Sequence, residues 1–520
     1  MLMGWQLGAQ SPQQPLGPKT LAETITAREL KTYVDTLASD AMEGRETGTE
    51  GQRMAAEYIA AQFEAWGLPR IGDENSYFQK IGFITENWEE ISLRLKGEEL
   101  QHLRDYYAFP SLHPTAFQAG FEEIVFLGYG IDTDEYSDYD KADVAGKAVL
   151  IYAGEPMDPD SISYVTGSAE VSSWARNPVR KIELAREKGA AAVFLIDDNF
   201  KRNLSFARRV ILNRRLQLGY GEDTERYVPS YFISSSTARQ ILGGKLKKVI
   251  KARKRIRKRG KSKPVNVPIA LAVEESKRVQ KVQGENVLGY IEGTDPRLKD
   301  ELVILSAHFD HLGKRGDAIY NGADDNASGT STVLEVTEAF AQARKNGMGP
   351  RRSVLALLVS GEEKGLLGSQ YYVKNPVFPL ENTVVDINVD MVGRVDAKYR
   401  ELDNPNYIYV IGADRMSTEL HEINEQVNEQ YTGLKLDYTY NAEDDPNQFY
   451  YRSDHYNFAR NGIPAIFYFN GTHEDYHQPS DTADKIQFDK MARVGQLVFH
   501  TAWKIANRDQ RLVVDVLDSD

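Results

Sequence analysis

Cysteine is absent from the 520-residue sequence. This absence excludes disulfides, thiolate-bound metals, iron–sulfur clusters and cysteine nucleophiles. Long hydrophobic runs are absent too: no stretch approaches the ~20 consecutive apolar residues of a membrane-spanning helix, so we predict no membrane span. Any metal site in this chain must therefore be built from His, Asp and Glu side chains.

The composition is otherwise that of an ordinary globular protein. Hydrophobic residues make up 41% of the chain and charged residues 27%, which excludes wholesale disorder. The 63 Lys and Arg against 76 Asp and Glu give a formal charge of −13, so we expect no nucleic-acid partner for the body of the protein. The length predicts more than one domain.

The N-terminal region combines an apolar start with predicted helices. Residues 1–18, which include the apolar Met1–Gln10, are either the remnant of a secretory signal or a frayed terminus. Thr26 and Glu29 then have the spacing of a capping box at the start of a helix. We assign residues 19–100 to the first part of the main domain.

Residues 101–282 have the pattern of a separate inserted domain. Short β-rich runs alternate with turns and helical stretches, which predicts a β-rich or α+β module. The module ends in the basic run Lys245–Lys263, KLKKVIKARKRIRKRGKSK. Two interpretations stay open for this run. It is a docking patch for an anion, an acidic partner or a membrane surface, or it is a solvated helix face whose apolar residues, Ile250 among them, pack inward.

The main domain resumes over residues 283–507, before an acidic tail at 508–520. Apolar runs predict buried strands, and the segments between them have helical periodicity. The predicted strands are Leu302–Ser306, Ser353–Ser360, Thr383–Val389 and Pro464–Phe469, and the predicted helices are Ala327–Gln342, Thr418–Tyr431 and Asp489–Asn507. This alternation predicts an α/β fold with a mixed, mostly parallel sheet covered by helices on both faces.

Acids and imidazoles follow each predicted strand. In chain order, these segments are His308-Phe-Asp310, Asp324-Asp325, Glu362-Glu363, Asp390 and His477. Because the carboxyl ends of parallel strands open onto one crevice, we expect these side chains to meet there. Imidazoles and carboxylates together suit Zn²⁺, Mn²⁺ or Co²⁺, and a pair of divalent ions would neutralise the adjacent glutamates.

The same segments resemble the signature of the M28 family of dinuclear zinc exopeptidases. The resemblance rests, in this order, on His308-x-Asp310, Gly322-Ala-Asp-Asp-Asn-Ala-Ser-Gly329, Glu362-Glu363-x-Gly-Leu-x-Gly-Ser369, Asp390 and His477. It covers the chain after Asn286 and extends to the segment Asp40–Gly48. The inserted module resembles the protease-associated (PA) domain that several members of this family carry.

The resemblance implies a role for each side chain. The implied metal ligands are Asp325 as the bridge between two Zn²⁺ ions, His308 and Asp390 on one ion, and Glu363 and His477 on the other. Glu362 would be the general base, and Asp310 would orient the ring of His308. The peptide bond between Asp325 and Asn326 is implied to be cis.

Other residues near these motifs are assigned from their position. Tyr450 is a candidate hydrogen-bond donor to the developing oxyanion, with a packed aromatic ring as the alternative. Ser453-Asp454-His455 is not a serine triad, because it lacks a nucleophile elbow and one tripeptide cannot form triad geometry. Tyr476 could shape the pocket. Roles beside the metal ligands, or on the surface, are expected for His311, His455 and His473.

We therefore predict a zinc metallo-aminopeptidase that acts on peptides with a free N-terminus. Within the family, the alternative is a carboxypeptidase or dipeptidase in which Arg394 or Arg452 captures a substrate carboxylate. Glutaminyl cyclisation, which a related branch performs with one zinc, is disfavoured by the presence of both His308 and Asp325. A non-catalytic, receptor-like protein is disfavoured by the complete ligand set. Family analogy favours a periplasmic or secreted location.

Overall fold

The computed structural model describes residues 17–212, 215–219 and 228–516, so the prediction for Met1–Gln10 lies outside the described residues. The chain divides into two compact units. The main unit comprises the residues up to Gly82 and those from Gln283 onward, and the insert comprises Phe83–Val282. The insert thus begins before the predicted residue 101. The reason is that residues 83–100 pair with each other and with Leu216–Leu218, inside the insert.

The described residues contain both strands and helices. In chain order the strands are β1 Phe78–Leu95, β2 Glu98–Leu100, β3 Tyr106–Tyr107, β4 Ala116–Gly128, β5 Ala148–Tyr152, β6 Ala192–Ile196, β7 Leu216–Leu218, β8 Ser230–Ile233, β9 Val265–Ile291, β10 Leu302–His308, β11 Gly313–Arg315, β12 Ala318–Tyr320, β13 Ser353–Val359, β14 Thr383–Val389, β15 Tyr407–Ile411, β16 Lys435–Asp437 and β17 Ala465–Phe469.

The helices are α1 Pro18–Ala22, α2 Ala27–Leu37, α3 Glu50–Ala65, α4 Ser173–Arg176, α5 Val179–Glu187, α6 Phe200–Leu212, α7 Ser235–Leu242, α8 Leu246–Arg259, α9 Gly329–Lys345, α10 Leu367–Lys374, α11 Ala397–Glu401, α12 Ala413–Met416, α13 Thr418–Val427, α14 His455–Ala459 and α15 Phe488–Asn507. In the parts of the chain that the structure describes, none of them combines the length and the apolar character that a bilayer span requires.

The main unit is built on a mixed sheet with the strand order β16-β15-β17-β14-β10-β13-β9. Strands β17, β14, β10 and β13 are parallel to one another, whereas β15 and the end of β9 run antiparallel to their neighbours β17 and β13. The register pairs His308, the last residue of β10, with Val359, the last of β13. The residues that follow these two strands therefore emerge at the same edge of the sheet.

Helices cover both faces of this sheet, as predicted. Every residue of β10, β13 and β14 is buried, which explains why their sequences are mostly apolar. Alternate residues face opposite sides. Val303 and its neighbours on one side share a core with Phe340 of α9 and Phe499 of α15. Ile304 faces the other side, in a core with Tyr372 of α10 and Phe458 of α14.

The insert has a sheet and cores of its own. Strands β4, β5, β6 and β8 are parallel, β3 runs antiparallel to β8, and the first half of β9 runs antiparallel to β4. Ile182 of α5 and Ala207 of α6 belong to one core, and Ile241 of α7 and Val249 of α8 belong to another. The insert thus contains both helices and strands, and its assignment as a PA domain stays a prediction.

A buried carboxyl group lies in the helical layer of the main unit. Glu335 of α9 is 3% exposed. Burial, and then the nearby carboxylates of Glu29 and Glu338, raise the pKa of Glu335 from 4.5 to about 9, although a hydrogen bond from the Thr26 N–H opposes this. The folded state therefore holds this proton more tightly than the unfolded state does. The resulting stabilisation is complete below pH 4.5 and is lost as the pH rises through about 9.

Replacing Glu335 with Gln should remove this pH dependence, because Gln keeps an acceptor for Thr26 and carries no charge. We expect Glu335→Gln to raise the free energy of unfolding at pH 8 by on the order of 2 kcal/mol, with little change at pH 4. Urea denaturation at the two pH values measures it. The exposed Glu23→Gln is the matched control and should change neither value. A parallel pH dependence in Glu335→Gln and the parent would contradict the assignment.

Candidate metal centre

The polar residues that follow the central strands meet at one edge of the main sheet. His308 ends β10, Glu362 and Glu363 follow β13, and Asp390 directly follows β14. Two loops complete the cluster. Asp325 lies in the irregular turn before α9, and His477 lies in the loop after β17. The parallel register of the strands is what brings residues so distant in sequence to one place.

One group of possible metal donors surrounds the ring of His308. Its Nε2 atom lies 3.3 Å from Asp325 Oδ1 and 3.3 Å from Asp390 Oδ1. Its Nδ1 atom is hydrogen-bonded to the backbone carbonyl of Asp310 at 3.0 Å. That contact assigns the proton to Nδ1 and leaves Nε2 as the free donor nitrogen. All three side chains are buried, with 1%, 3% and 7% exposure for His308, Asp325 and Asp390.

A second group surrounds the other carboxylate oxygen of Asp325. His477 Nε2 lies 3.0 Å from Asp325 Oδ2 and 3.4 Å from Glu363 Oε2. His311 Nδ1 lies 2.7 Å from Glu363 Oε1 and 3.8 Å from Asp325 Oδ2. In the described part of the chain, the two trios with metal-binding spacing are His308, Asp325 and Asp390, and His311, Asp325 and Glu363. Asp325 is the member that both trios share.

The imidazoles control the charge of these carboxylates. Burial by itself raises the pKa of Asp325, but His311, His308 and His477 together bring it well below its ordinary value. Glu363 behaves similarly: burial and Asp325 raise its pKa, yet His311 and His477 lower it to about 2. Glu362 differs, because burial and the neighbouring carboxylates of Glu363 and Asp390 raise its pKa well above its ordinary value despite His308. The three acids are thus not equivalent.

The structure shows which atom of Asp310 contacts the ring of His308. Its carboxylate Oδ1 lies 3.8 Å from His308 Nδ1, so the ring is oriented by the backbone carbonyl of Asp310 and not by its side chain. The carboxylate instead accepts hydrogen bonds from the Thr47 hydroxyl at 2.7 Å and from the Glu362 N–H at 3.2 Å. Asp310 therefore fixes the backbone that presents Glu362.

The turn that carries Asp325 is held by hydrogen bonds to its backbone. The Asp325–Asn326 peptide bond is cis, as the family resemblance implies. Asp481 accepts from the backbone N–H groups of Asp324 and Asp325 at 3.0 and 3.1 Å. Gly322 precedes the turn at φ +55°, where a Cβ atom would lie 2.1 Å from the Asp325 carbonyl oxygen, so the position requires glycine.

Sequence reasoning missed several residues that support the centre. Arg45, fully buried, donates to the carbonyls of Leu37, Phe309, Asn321 and Gly322. Ser453 donates to Asp390 Oδ2 at 2.7 Å and accepts from the Asn388 amide at 2.7 Å. Arg45 lies in the Asp40–Gly48 segment that carries the family resemblance, which was the available signal. Nothing in the local pattern distinguishes Ser453 from an ordinary loop serine.

A pocket opens beside the two donor groups. Its walls contain acidic, aromatic and basic side chains, namely Asp325, Glu362, Asp390, Met391, Phe449, Arg452, Phe467, Phe469, Thr472 and Tyr476. Tyr476 also stacks on His477, with ring centroids 3.9 Å apart. Tyr450 is not among these lining residues. It is 2% exposed and packs in an aromatic core, with Arg415 over its ring at 4.2 Å. These contacts favour the alternative, a packed aromatic ring, and the oxyanion role of Tyr450 stays a prediction.

Arg394 and Arg452, the candidates for binding a substrate carboxylate, differ in accessibility. Arg394 is 8% exposed and forms an ion pair with Asp475 at 2.8 Å, so it does not present a free guanidinium to a substrate. Arg452 lines the pocket, 4.7 Å over the Phe449 ring. His455 is buried beside Phe467, and burial lowers its pKa to about 3.

Comparisons with known proteins agree with this geometry. The profile of Peptidase family M28 matches residues 286–502, the segment that contains every proposed metal ligand. A probable leucine aminopeptidase of Trichophyton verrucosum is 28% identical over 235 residues, which are 44% of this chain and 61% of that protein. Aminopeptidase YwaD of Bacillus subtilis is 26% identical over 234 residues, 44% of this chain and 46% of that protein. The chain thus matches less than two thirds of the length of these relatives.

A solved structure shares the fold over almost the whole chain. An aminopeptidase from Aneurinibacillus sp. strain AM-1 aligns with a TM-score of 0.51 and 20% identity, covering 96% of this chain and 99% of that chain. At this identity the likeness concerns the fold alone.

Removing the Arg45 guanidinium should destabilise the centre, because buried carbonyl oxygens would lose their donor. We expect Arg45→Met to lower the free energy of unfolding by about 3 kcal/mol and to weaken zinc binding. Urea denaturation and calorimetric zinc titration measure the two effects. Arg28→Met, at an exposed position, is the control. Equal stability of Arg45→Met and the parent would show that the contacts do not support the fold.

Proposed function

We propose that this chain, whose residues 286–502 match the model of peptidase family M28, is a metal-dependent aminopeptidase of that family. In this proposal it removes N-terminal residues from peptides by hydrolysis. The proposal rests on the position of Asp325, whose two carboxylate oxygens each face a separate donor group. A shared carboxylate between two donor sets is the arrangement that a dinuclear metallohydrolase requires.

The donor chemistry supports zinc as the metal. Imidazole nitrogens and carboxylate oxygens without sulfur are suitable ligands for Zn²⁺ in catalytic sites. We assign His308, Asp325 and Asp390 to one ion, and Asp325, Glu363 and His477 to the other. His477 is preferred to His311 because its Nε2 atom lies 3.0 Å from Asp325 Oδ2, whereas His311 Nδ1 lies 3.8 Å from that oxygen. His311, 2.7 Å from Glu363 Oε1, then orients that carboxylate.

The charge of the acidic side chains at the centre also suits divalent ions. Four buried or nearly buried carboxylates lie together: Asp325, Glu362, Glu363 and Asp390. Bound divalent cations would offset their mutual repulsion. When bound, these cations would supply Lewis-acid activation of a water molecule and of the scissile carbonyl.

The protein's own groups then divide the proton transfers. Glu362 lines the pocket with its side chain 13% exposed, and the backbone N–H of Glu362 is held by Asp310. We propose that the Glu362 carboxylate takes a proton from the attacking water and returns it to the leaving amine. We propose that Tyr476, which also lines the pocket, donates a hydrogen bond to the developing oxyanion.

The pocket walls suit an apolar side chain on the first residue of the substrate. Met391, Phe449, Phe467 and Phe469 contribute apolar surface next to Asp390 and Glu362. Such a wall would bury an aliphatic or aromatic side chain and thereby place the adjacent peptide bond at the acidic cluster. The names of the relatives, which are aminopeptidases, support cleavage from the amino terminus. Export to the periplasm or the medium stays a prediction.

A carboxypeptidase or dipeptidase is the second candidate, because Arg452 lines the same pocket. A guanidinium there could bind a substrate carboxylate. A free-amine aminoacyl amide and an N-blocked peptide with a free carboxylate separate the two. We expect turnover of the first substrate only, and cleavage of the second alone would establish the carboxypeptidase.

Substitutions of the adjacent residues Glu362 and Glu363 should have different effects on activity and on metal content. Glu362→Gln should reduce kcat by at least about a hundredfold while zinc content stays unchanged, because the base is not a ligand. Glu363→Gln should lose activity together with part of the bound zinc, because it removes a ligand charge. Kinetics on aminoacyl amides and metal analysis of the same samples measure both. Loss of zinc in Glu362→Gln, or full retention in Glu363→Gln, would reverse the assignment.

Metal removal should abolish activity and lower stability together. Prolonged dialysis against a chelator should reduce turnover to background and lower Tm, because the clustered carboxylates then repel each other and no ligand binding favours the folded state. Adding Zn²⁺ should restore both, with saturation at two equivalents. Saturation at one equivalent would exclude the dinuclear site, and activity that survives complete metal removal would exclude metal-dependent hydrolysis.

A further inference from the structure

The insert carries a continuous basic surface that the proposed hydrolysis does not use. Helix α8 and the residues on either side of it, Lys245–Lys263, contain twelve Lys and Arg and no Asp or Glu. The helix buries only Val249, Ala252 and Ile256, which are spaced along one face. We call the exposed side chains the basic platform, which comprises Lys245, Lys247, Lys248, Ile250, Lys251, Lys254, Arg255, Arg257, Lys258, Arg259, Lys261 and Lys263.

This platform reverses the charge of the insert. The insert has 33 Lys and Arg against 27 Asp and Glu, whereas the rest of the chain has 30 against 49. Without the twelve basic residues of Lys245–Lys263 the insert would be acidic as well, with 21 against 27. The positive charge is therefore concentrated in one helix and its flanks, on an otherwise acidic protein. Such a concentration attracts anionic surfaces over a distance of about one Debye length.

No acidic side chain among the described residues forms an ion pair with the basic platform. In Lys245–Lys263, the ion pair found among the described residues is that of Arg253 with Asp198, at 2.8 Å. The side chains of the platform repel one another instead. Lys247 and Lys251, Lys251 and Arg255, and Lys254 and Lys258 are each four residues apart on one helix. A helix face that needs only to be soluble usually mixes both signs, so this uncompensated repulsion requires another explanation.

An exposed apolar residue lies within the same surface. Ile250 is 44% exposed, so the inward packing expected for it from the sequence is wrong. It lies between Lys248 and Lys251, one turn before Lys254. An aliphatic side chain surrounded by lysines matches a bilayer interface, where cations contact phosphate groups and an apolar side chain enters the boundary of the acyl chains.

We propose that the basic platform docks the protein onto anionic phospholipid bilayers. Of the twelve basic residues in Lys245–Lys263, eight are lysines, which act as point charges suited to a fluid array of headgroups. Single-stranded nucleic acid is the less suitable partner, because the platform contains no aromatic side chain on which a base could stack. The interaction is peripheral and electrostatic, and it requires no membrane-spanning segment.

Vesicle sedimentation with the full-length protein tests the proposal. The protein should sediment with phosphatidylcholine vesicles that contain phosphatidylglycerol and remain in solution with pure phosphatidylcholine. Binding should fall steeply as NaCl is raised, because counterions screen the contact. The variant K247Q/K248Q/K251Q/K254Q should bind at least about a hundredfold more weakly, since each lysine contributes independently near the surface.

A variant with the same change in net charge controls for the overall field of the protein. K96Q/K141Q/K201Q/K345Q replaces four exposed lysines outside the basic platform. It should bind vesicles as the parent does, and both variants should keep the parent's Tm and aminoacyl amide turnover. Equal losses in the two quadruple variants would mean that net charge alone attracts the protein, and the proposal would fail.

A single cysteine label locates the contact, because the chain has no other cysteine. Ile250→Cys carrying an environment-sensitive fluorophore should shift to shorter wavelength on anionic vesicles. The same label at Leu402→Cys, an exposed position in the main unit, should not shift. No binding to anionic vesicles, or a duplex DNA that binds the platform and displaces the protein from vesicles at equal phosphate concentration, would overturn the proposal.

Discussion

The carboxylate of Asp325 is the group on which the geometry of the candidate centre depends. Its two oxygens face different partners, His308 on one side and His477 on the other, at 3.3 and 3.0 Å. A buried carboxylate in this position is costly unless cations or donors surround it. The three nearby imidazoles lower its pKa, and the backbone N–H groups of its turn are bound by Asp481. The rest of the main unit keeps this one side chain in place.

Contacts between segments that are distant in the sequence keep Asp325 and the neighbouring side chains in place. Arg45, in the N-terminal segment, holds the loops that follow β10 and precede α9 through their carbonyl oxygens. Asp310 holds Thr47 and the backbone of Glu362, and Ser453 holds Asp390. Each of these contacts fixes an atom next to a proposed ligand or base. Because a metal site tolerates little displacement of its ligands, we regard these groups as part of the same chemical unit.

Much of the main unit could be predicted from the sequence. Strand β14 has the predicted bounds Thr383–Val389, and helix α15, Phe488–Asn507, begins one residue before the prediction. Strands that are buried on both faces have mostly apolar sequences, which makes them easy to recognise. The insert begins at Phe83 and not at residue 101, because residues 83–85 pair with Leu216–Leu218, more than a hundred residues later in the chain. No local pattern contains that pairing.

The sequence by itself determined which residues could bind metal, since the absence of cysteine leaves only His, Asp and Glu and the strand ends place them at one edge. Only the tertiary structure decided what each of them touches. Tyr450 and Tyr476 are both tyrosines near motif residues, yet one is buried in an aromatic core and the other lines the pocket. Likewise, Asp310 orients His308 through its carbonyl and not its carboxylate. Residue type and spacing fix the available chemistry, whereas side-chain direction depends on packing between segments that are remote in sequence.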